Sequence, residues 1–275
     1  MVGWNSSFWL TAWSWEPGTI VAMAIIIIGY IFIIFLFRKR FTNSSFPHST
    51  QIIWFIFGVL AAVLALISPI NIASKDYLFS AHMVQHILIT LVMAPLLLAG
   101  TPGWLISNIT QHNWSRGIIK FITHPIPAFF LYFLSLSFWH LPSVHTSMMG
   151  NDTMHMAQTL SFIVTGLLFW WPIIIAVPEL PKLSDPLKML YLFLAVIPCT
   201  VLGVMIIFAP TVMNSSYSMA PRIAPLDPMA DQQVAGILMA VPSMFILLGT
   251  MLSVFYKWYK REGASRGISM NNKGD

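Results

Sequence analysis

Histidine is the main chemical resource of this chain: there are eight, while Cys199 is the lone cysteine and stands inside an apolar run. That leaves no thiolate cluster for a metal and no disulfide framework. His82 and His86 are spaced i, i+4, so on a helix both imidazoles leave the same face one turn apart, a spacing that lets two side chains grip one ion. Met93 continues that stripe two turns further on. His140 and His155 each fall at the end of an apolar run, and Asp231 opens another within Asp231-Gln232-Gln233. Imidazole suits copper, zinc and iron, and thioether favours Cu(I). Met83, Met148, Met149, Met154, Met156, Met213, Met219 and Met229 fall in the same parts of the sequence. No Gly-rich phosphate loop, carboxylate pair or nucleophile elbow is present. Hydrolytic chemistry has no foothold, and the chain is expected not to be an enzyme.

The elements that must position these groups follow from composition. Of the 275 residues, 57% are hydrophobic and only 8% charged, where a globular chain carries about a quarter. The natural solvent is a bilayer. Uncharged apolar stretches of about 20 residues fall near 18–37, 51–69, 77–99, 122–140, 153–177, 187–209 and 234–256. The expected fold is an all-α membrane protein, a bundle of seven transmembrane helices within residues 1–262, followed by a disordered tail, 263–275. Pro95, Pro198 and Pro242 sit inside spans, where each removes a backbone donor and kinks its helix unless a neighbour satisfies the freed carbonyl.

Lys and Arg set the orientation. Arg38, Lys39, Arg40, Arg116, Lys120, Lys182, Lys188, Lys257, Lys260, Arg261, Arg266 and Lys273 fall on one side, and only Lys75 and Arg222 on the other. The asymmetry predicts a multi-pass plasma-membrane protein with its N-terminus outside and its C-terminus in the cytoplasm. The net charge of +5 sits at helix ends, not in one stripe, so it reads as topology and gives no reason to expect a nucleic-acid partner. The first eighteen residues contain Glu16 but no Lys or Arg, so the first span is expected to stay in the membrane.

With this topology His82, His86, His140, His145 and His155 face the outer side, while His48, His112 and His124 lie in cytoplasmic connections. His86 lies about 13 Å along span three from Tyr77 at 1.5 Å per residue, below the interface. Span four is short, about 20 Å from Pro127 to Trp139 against a hydrocarbon core of about 30 Å, which brings His140 to similar depth. Ionisable groups at that depth mark function by default. Plainer roles compete. Asp231 serves as readily as a helix N-cap as a ligand, His145 reads as a solvated loop residue, and the outer methionines read mostly as gap-fillers. Gly236 lets a neighbouring helix approach closely.

In order along the chain, His82-Met83-Val84-Gln85-His86, Pro95-Leu96-Leu97-Leu98-Ala99-Gly100-Thr101-Pro102, Trp139-His140-Leu141-Pro142, His155, Phe169-Trp170-Trp171-Pro172 and Asp231-Gln232-Gln233-Val234-Ala235-Gly236 resemble the Gram-positive CtaG family. Its members are multi-pass membrane proteins needed to assemble caa(3)-type cytochrome c oxidase. The resemblance implies haem–copper oxidase subunits as partners, the bilayer as setting and copper as the cofactor handled. Where the family commonly has an acidic residue before the histidine of span five, this chain has Met154, whose thioether favours Cu(I). The expected metal site is therefore outward-facing and built by His82, His86, His140 and His155, with Asp231 as ligand or supporting partner. Two other readings stay open: a haem protein with histidines from different helices as axial ligands, and a metal-free scaffold or transporter. Against transport, no charge or histidine continues the stripe into the inner half of the bundle.

Overall fold

A computed structural model describes residues 5–41, 44–110, 113–144, 151–175, 177, 182–213 and 215–271. Helix is the regular structure among them, with no strand. In chain order the helices are α1 (Ser6–Thr11), α2 (Pro17–Arg40), α3 (Ser49–Leu66), α4 (Pro69–Asp76), α5 (Phe79–Gly100), α6 (Gly103–Thr110), α7 (Asn113–Ile122), α8 (Pro125–Trp139), α9 (Asp152–Ile174), α10 (Asp185–Ile207), α11 (Ser215–Met219) and α12 (Pro228–Asn271). Six of them, α2, α3, α5, α9, α10 and α12, are long and apolar enough to cross a membrane. The stretch expected to form the fourth span is α8, at 15 residues shorter than these six. The last helix continues through Asn271, past the boundary that composition suggested at residue 262.

Local sequence explains most boundaries. Pro69 follows Ser68, whose hydroxyl accepts from the Ile70 amide at 3.2 Å, so the second apolar span ends at Leu66 and the short helix α4 begins. Pro125 opens α8 in the same way after His124, whose Nδ1 accepts from the Ile126 amide at 3.4 Å. His124 is thus a capping residue.

The central helix is α5. Its first part, Phe79–Ile87, is α-helical, Leu88–Met93 widens into π-helical turns, and Ala94–Gly100 is α-helical again. In this π register the Thr90 carbonyl would meet the amide that Pro95 lacks. The Trp170 indole on α9 donates to that carbonyl at 2.8 Å, so a neighbour does satisfy the freed group. Gln85 ties the other side of α5 down. Its amide donates to the Ala65 carbonyl at 2.9 Å and to Asn71 Oδ1 at 2.8 Å, and its oxygen accepts from Ser74 Oγ at 2.8 Å. All four are buried or part of the backbone between α3, α4 and α5, where unmade hydrogen bonds are costly.

The close approach expected at Gly236 is made with Gly203 of α10. A Cβ on either glycine would stand 2.6 Å from the other's carbonyl oxygen, so the backbones of α10 and α12 touch at a point that admits no side chain. Lys188, at the edge of α10, reaches back to donate to the Ile173 carbonyl at 3.1 Å at the end of α9. Its charge is thereby carried to a helix C-terminus, where cations are favoured. Cys199 is buried core.

Candidate metal centre

His82 and His86 occupy the α-helical first part of α5, and the i, i+4 spacing works as the helical period requires: their Nε2 atoms are 2.7 Å apart and the rings meet edge to face at 4.2 Å. At that separation two imidazoles either share a proton or bracket a cation. The third ring comes from another helix. It is His140, the C-cap residue of the short helix α8. Its ring centroid lies 5.3 Å from that of His86 and 6.2 Å from that of His82. The ligand nitrogens of all three lie within 4.8 Å of one another, and the residues are only 2%, 4% and 6% exposed.

The orientation of His140 follows from its partner. Its Nδ1 lies 2.8 Å from the Leu136 carbonyl, which can only accept, so Nδ1 carries the proton and Nε2 presents its lone pair. A histidine whose second nitrogen is held by a carbonyl is the usual arrangement around bound metal. The walls are apolar. Phe162 of α9 packs its ring edge to face on His86 at 4.3 Å, and Phe79 lies 6.0 Å from His82. Below, Thr90 Oγ1 donates to the His86 carbonyl at 2.7 Å and accepts from Tyr132 at 3.2 Å. This joins the histidine turn to the π-helical turns and to α8. A buried three-imidazole cluster of this kind could hold a borderline cation such as copper, zinc or iron.

Asp231 is placed differently from a ligand. The N-cap of α12 is Asp227, whose Oδ1 accepts from the Met229 and Ala230 amides at 2.9 Å each. Asp231 lies one turn inside that helix, fully buried, and reaches across to α5. It accepts from the Phe79 amide at 2.7 Å, from the Ser80 amide at 3.2 Å and from the Ser80 hydroxyl. Leu78, in the N-cap position of α5, has no side chain that could do this. Asp231 is therefore the cap of the helix that carries His82 and His86, supplied from a residue 152 positions away. Its neighbour Gln232 receives the Met213 amide at 2.7 Å and donates to the Ile206 carbonyl at 3.3 Å, closing the end of α10.

His155 also stands apart from the three. Among the described residues no fourth histidine or carboxylate joins their group. His155 lies half-buried in the first turn of α9, within electrostatic reach of Lys75, Glu16 and Asp152. Lys75 pairs with Asp152 and, at 3.7 Å, with Glu16. Burial acts against the Lys75 charge, but the hydrogen bond and charge of Asp152, with Glu16 and Asp76 behind it, outweigh burial and hold its pKa above the ordinary lysine value. These pairs tie the starts of α2 and α9 to the end of α4. His145, Met148 and Met149 lie outside the described residues. Sequence reading missed Gln158, 1% exposed on α9; its echo of Gln85, in His155-Met156-Ala157-Gln158 against His82-Met83-Val84-Gln85, was the available signal.

Comparison with known proteins gives a consistent result. The chain is 26% identical over 204 residues to uncharacterized proteins of Mycobacterium bovis and Mycobacterium tuberculosis, covering 69% of this chain and 30% of theirs. An uncharacterized protein of Mycobacterium leprae is 19% identical over 267 residues, 90% of this chain and 40% of its own length. The chain thus spans well under half of the curated relatives it matches. No solved structure matches. The profile of the cytochrome c oxidase caa3 assembly factors matches residues 28–261. That stretch holds all three clustered histidines, His155, Gln158 and Asp231, and the chain belongs to the cytochrome c oxidase caa3 assembly factor family.

Proposed function

We propose that this protein serves the assembly of a caa(3)-type haem–copper oxidase in the plasma membrane by holding copper in the outer half of its bundle and passing it to an oxidase subunit. The supporting observation is the convergence of three buried imidazoles, His82, His86 and His140, to within 4.8 Å. Buried polar side chains are retained at such depth when they have work there. Copper supplies the redox and ligand chemistry of the oxidase it is delivered to; the residues here would hold it and shield it from water. The packing favours a single ion over haem. The three rings lie 4.2, 5.3 and 6.2 Å apart and Phe162 packs on His86, which supports one shared ion over a porphyrin held between two of these three imidazoles.

Deleting the gene in a host that has this oxidase should abolish caa(3)-type cytochrome c oxidase activity and leave respiration through copper-independent oxidases working. Unchanged cytochrome c oxidase activity in the deletion strain would overturn the reading. The direction of delivery rests on the Lys/Arg asymmetry. Reporter fusions after Lys39, within 116–120 of the connecting helix α7 and after Lys260 should behave as cytoplasmic, and fusions near Lys75, Asn151 and Ser216 as exported. A cytoplasmic signal at Asn151 would place the histidines on the wrong side for delivery outward.

A further inference from the structure

The helices α5 and α9 run side by side in the same sense, and their register can be read from contacts. A Cβ on Gly166 would lie 3.3 Å from Thr90 Cα, and Phe162 packs on His86. Both pairs have an offset of 76 residues, so the next turn outward brings Gln158 level with His82. Gln158, Phe162, Thr165 and Gly166 share the buried face of α9, and His155 lies three residues outward of Gln158, about 4.5 Å further along the axis.

Two polar atoms on this face are unaccounted for. The Gln158 Nε2 and the His155 Nε2 are both buried, and among the described residues neither has a hydrogen-bond partner. Leaving such an atom unpaired is costly, and two of them in successive positions of one face, adjoining a three-histidine pocket, call for a polar guest that the described residues do not provide. The Gln158 amide offers either its nitrogen or, turned over, its oxygen to such a guest, with no change of shape. Elsewhere on α9, Trp170 bonds Thr90 and Ser161 is held by the Gln158 carbonyl and the Trp139 indole; the Trp171 indole, more than three turns from Gln158, is the other buried group of this helix without a partner among the described residues.

We propose that His155 and Gln158 form a loading station on the outer side of the pocket, where a Cu(I) ion is first held by the His155 imidazole and then moves one helical turn inward, past Gln158, to His82, His86 and His140. This rests on the copper reading above. His155 is then a transfer ligand and not a member of the resident site, which explains why it stands apart from the cluster yet keeps a buried, unpartnered nitrogen. The Lys75–Asp152 pair beside it lies at the outer end of the route. No bond to carbon changes and no electron moves: the ion exchanges one imidazole for three.

The test uses the full-length protein in detergent, stripped of metal, and follows Cu(I) uptake from its bicinchoninate complex by the loss of that complex's colour, with release measured into bathocuproine. His155→Ala should leave bound copper per chain and equilibrium affinity close to the wild type but slow uptake and release together by about tenfold or more, because a stepping ligand lowers the barrier in both directions. Gln158→Leu, which keeps the side-chain volume, should slow both several-fold. His155→Gln, which keeps a polar group, should fall between wild type and His155→Ala. If His155→Ala lowers copper per chain, His155 is a resident ligand and the station is wrong. If neither variant changes the rates while the wild type binds copper, the two groups have no part in transfer and the station alone fails. A wild type that takes up no copper would remove the copper reading and the station with it.

Discussion

Replacing His86 by alanine is expected to reduce copper per chain to less than about a tenth of the wild-type amount, and caa(3)-type oxidase activity with it. Loss of groups that merely orient a ligand already costs about 10–100-fold in affinity, and His86 is the central member of the three, with His82 on one side and His140 on the other. His82→Ala should act nearly as strongly. The double change should cost little more than the worse single one, because ligands of one ion act as a unit and their losses do not add. Protein abundance in the membrane should hold, since removing a polar group from an apolar helix eases insertion. The measurements are copper per chain, abundance and oxidase activity in the two singles, the double, and His145→Ala, which by its place in the sequence fits no helical stripe with the others and should be nearly silent. Full copper in both singles, or a His145 change as damaging as that of His86, would exclude the site.

Asp231→Ala should have the largest effect on stability. It removes the carboxylate that receives the Phe79 and Ser80 amides and the Ser80 hydroxyl, and leaves buried donors at the start of α5 with no acceptor. The cost is on the order of 3 kcal/mol, enough to lower the melting temperature in detergent by roughly 10 °C. Copper binding should fall as well, for two physical reasons. A frayed first turn releases His82, three residues beyond Phe79, from its place opposite His140. The buried carboxylate also offsets the positive end of the α5 dipole, which otherwise disfavours a cation one turn away. Asp231→Asn separates the two: the amide oxygen still caps, so most of the stability should return, while copper affinity should stay below wild type. An Asp231→Asn protein with wild-type affinity would assign Asp231 to capping alone, and an Asp231→Ala protein with unchanged melting temperature would contradict its role as the cap.

How much of this could be read without coordinates depends on how far apart the interacting residues are. The apolar spans, the break after the second of them and the facing of His82 and His86 are matters of composition and helical period, which act within a few residues, and the sequence determined them by itself. The shortness of the helix that ends before His140 was also legible, because it depends on one apolar run. The partner of Gly236 was predicted as a close helix but could not be named as Gly203 on α10. Asp231 shows the limit most clearly. Its position in the chain suggested the N-cap of its own helix, yet that place belongs to Asp227 and Asp231 caps α5. Nor could the chain order say that His140 joins the pair on α5 while His155 does not. Those outcomes depend on the rotation and register of one helix against another, set by packing such as Gly166 on Thr90 and by the Trp170 bond that repairs the gap left by Pro95. Such contacts join residues tens of positions apart, and hydrophobic period carries no information about which helix a given face will meet.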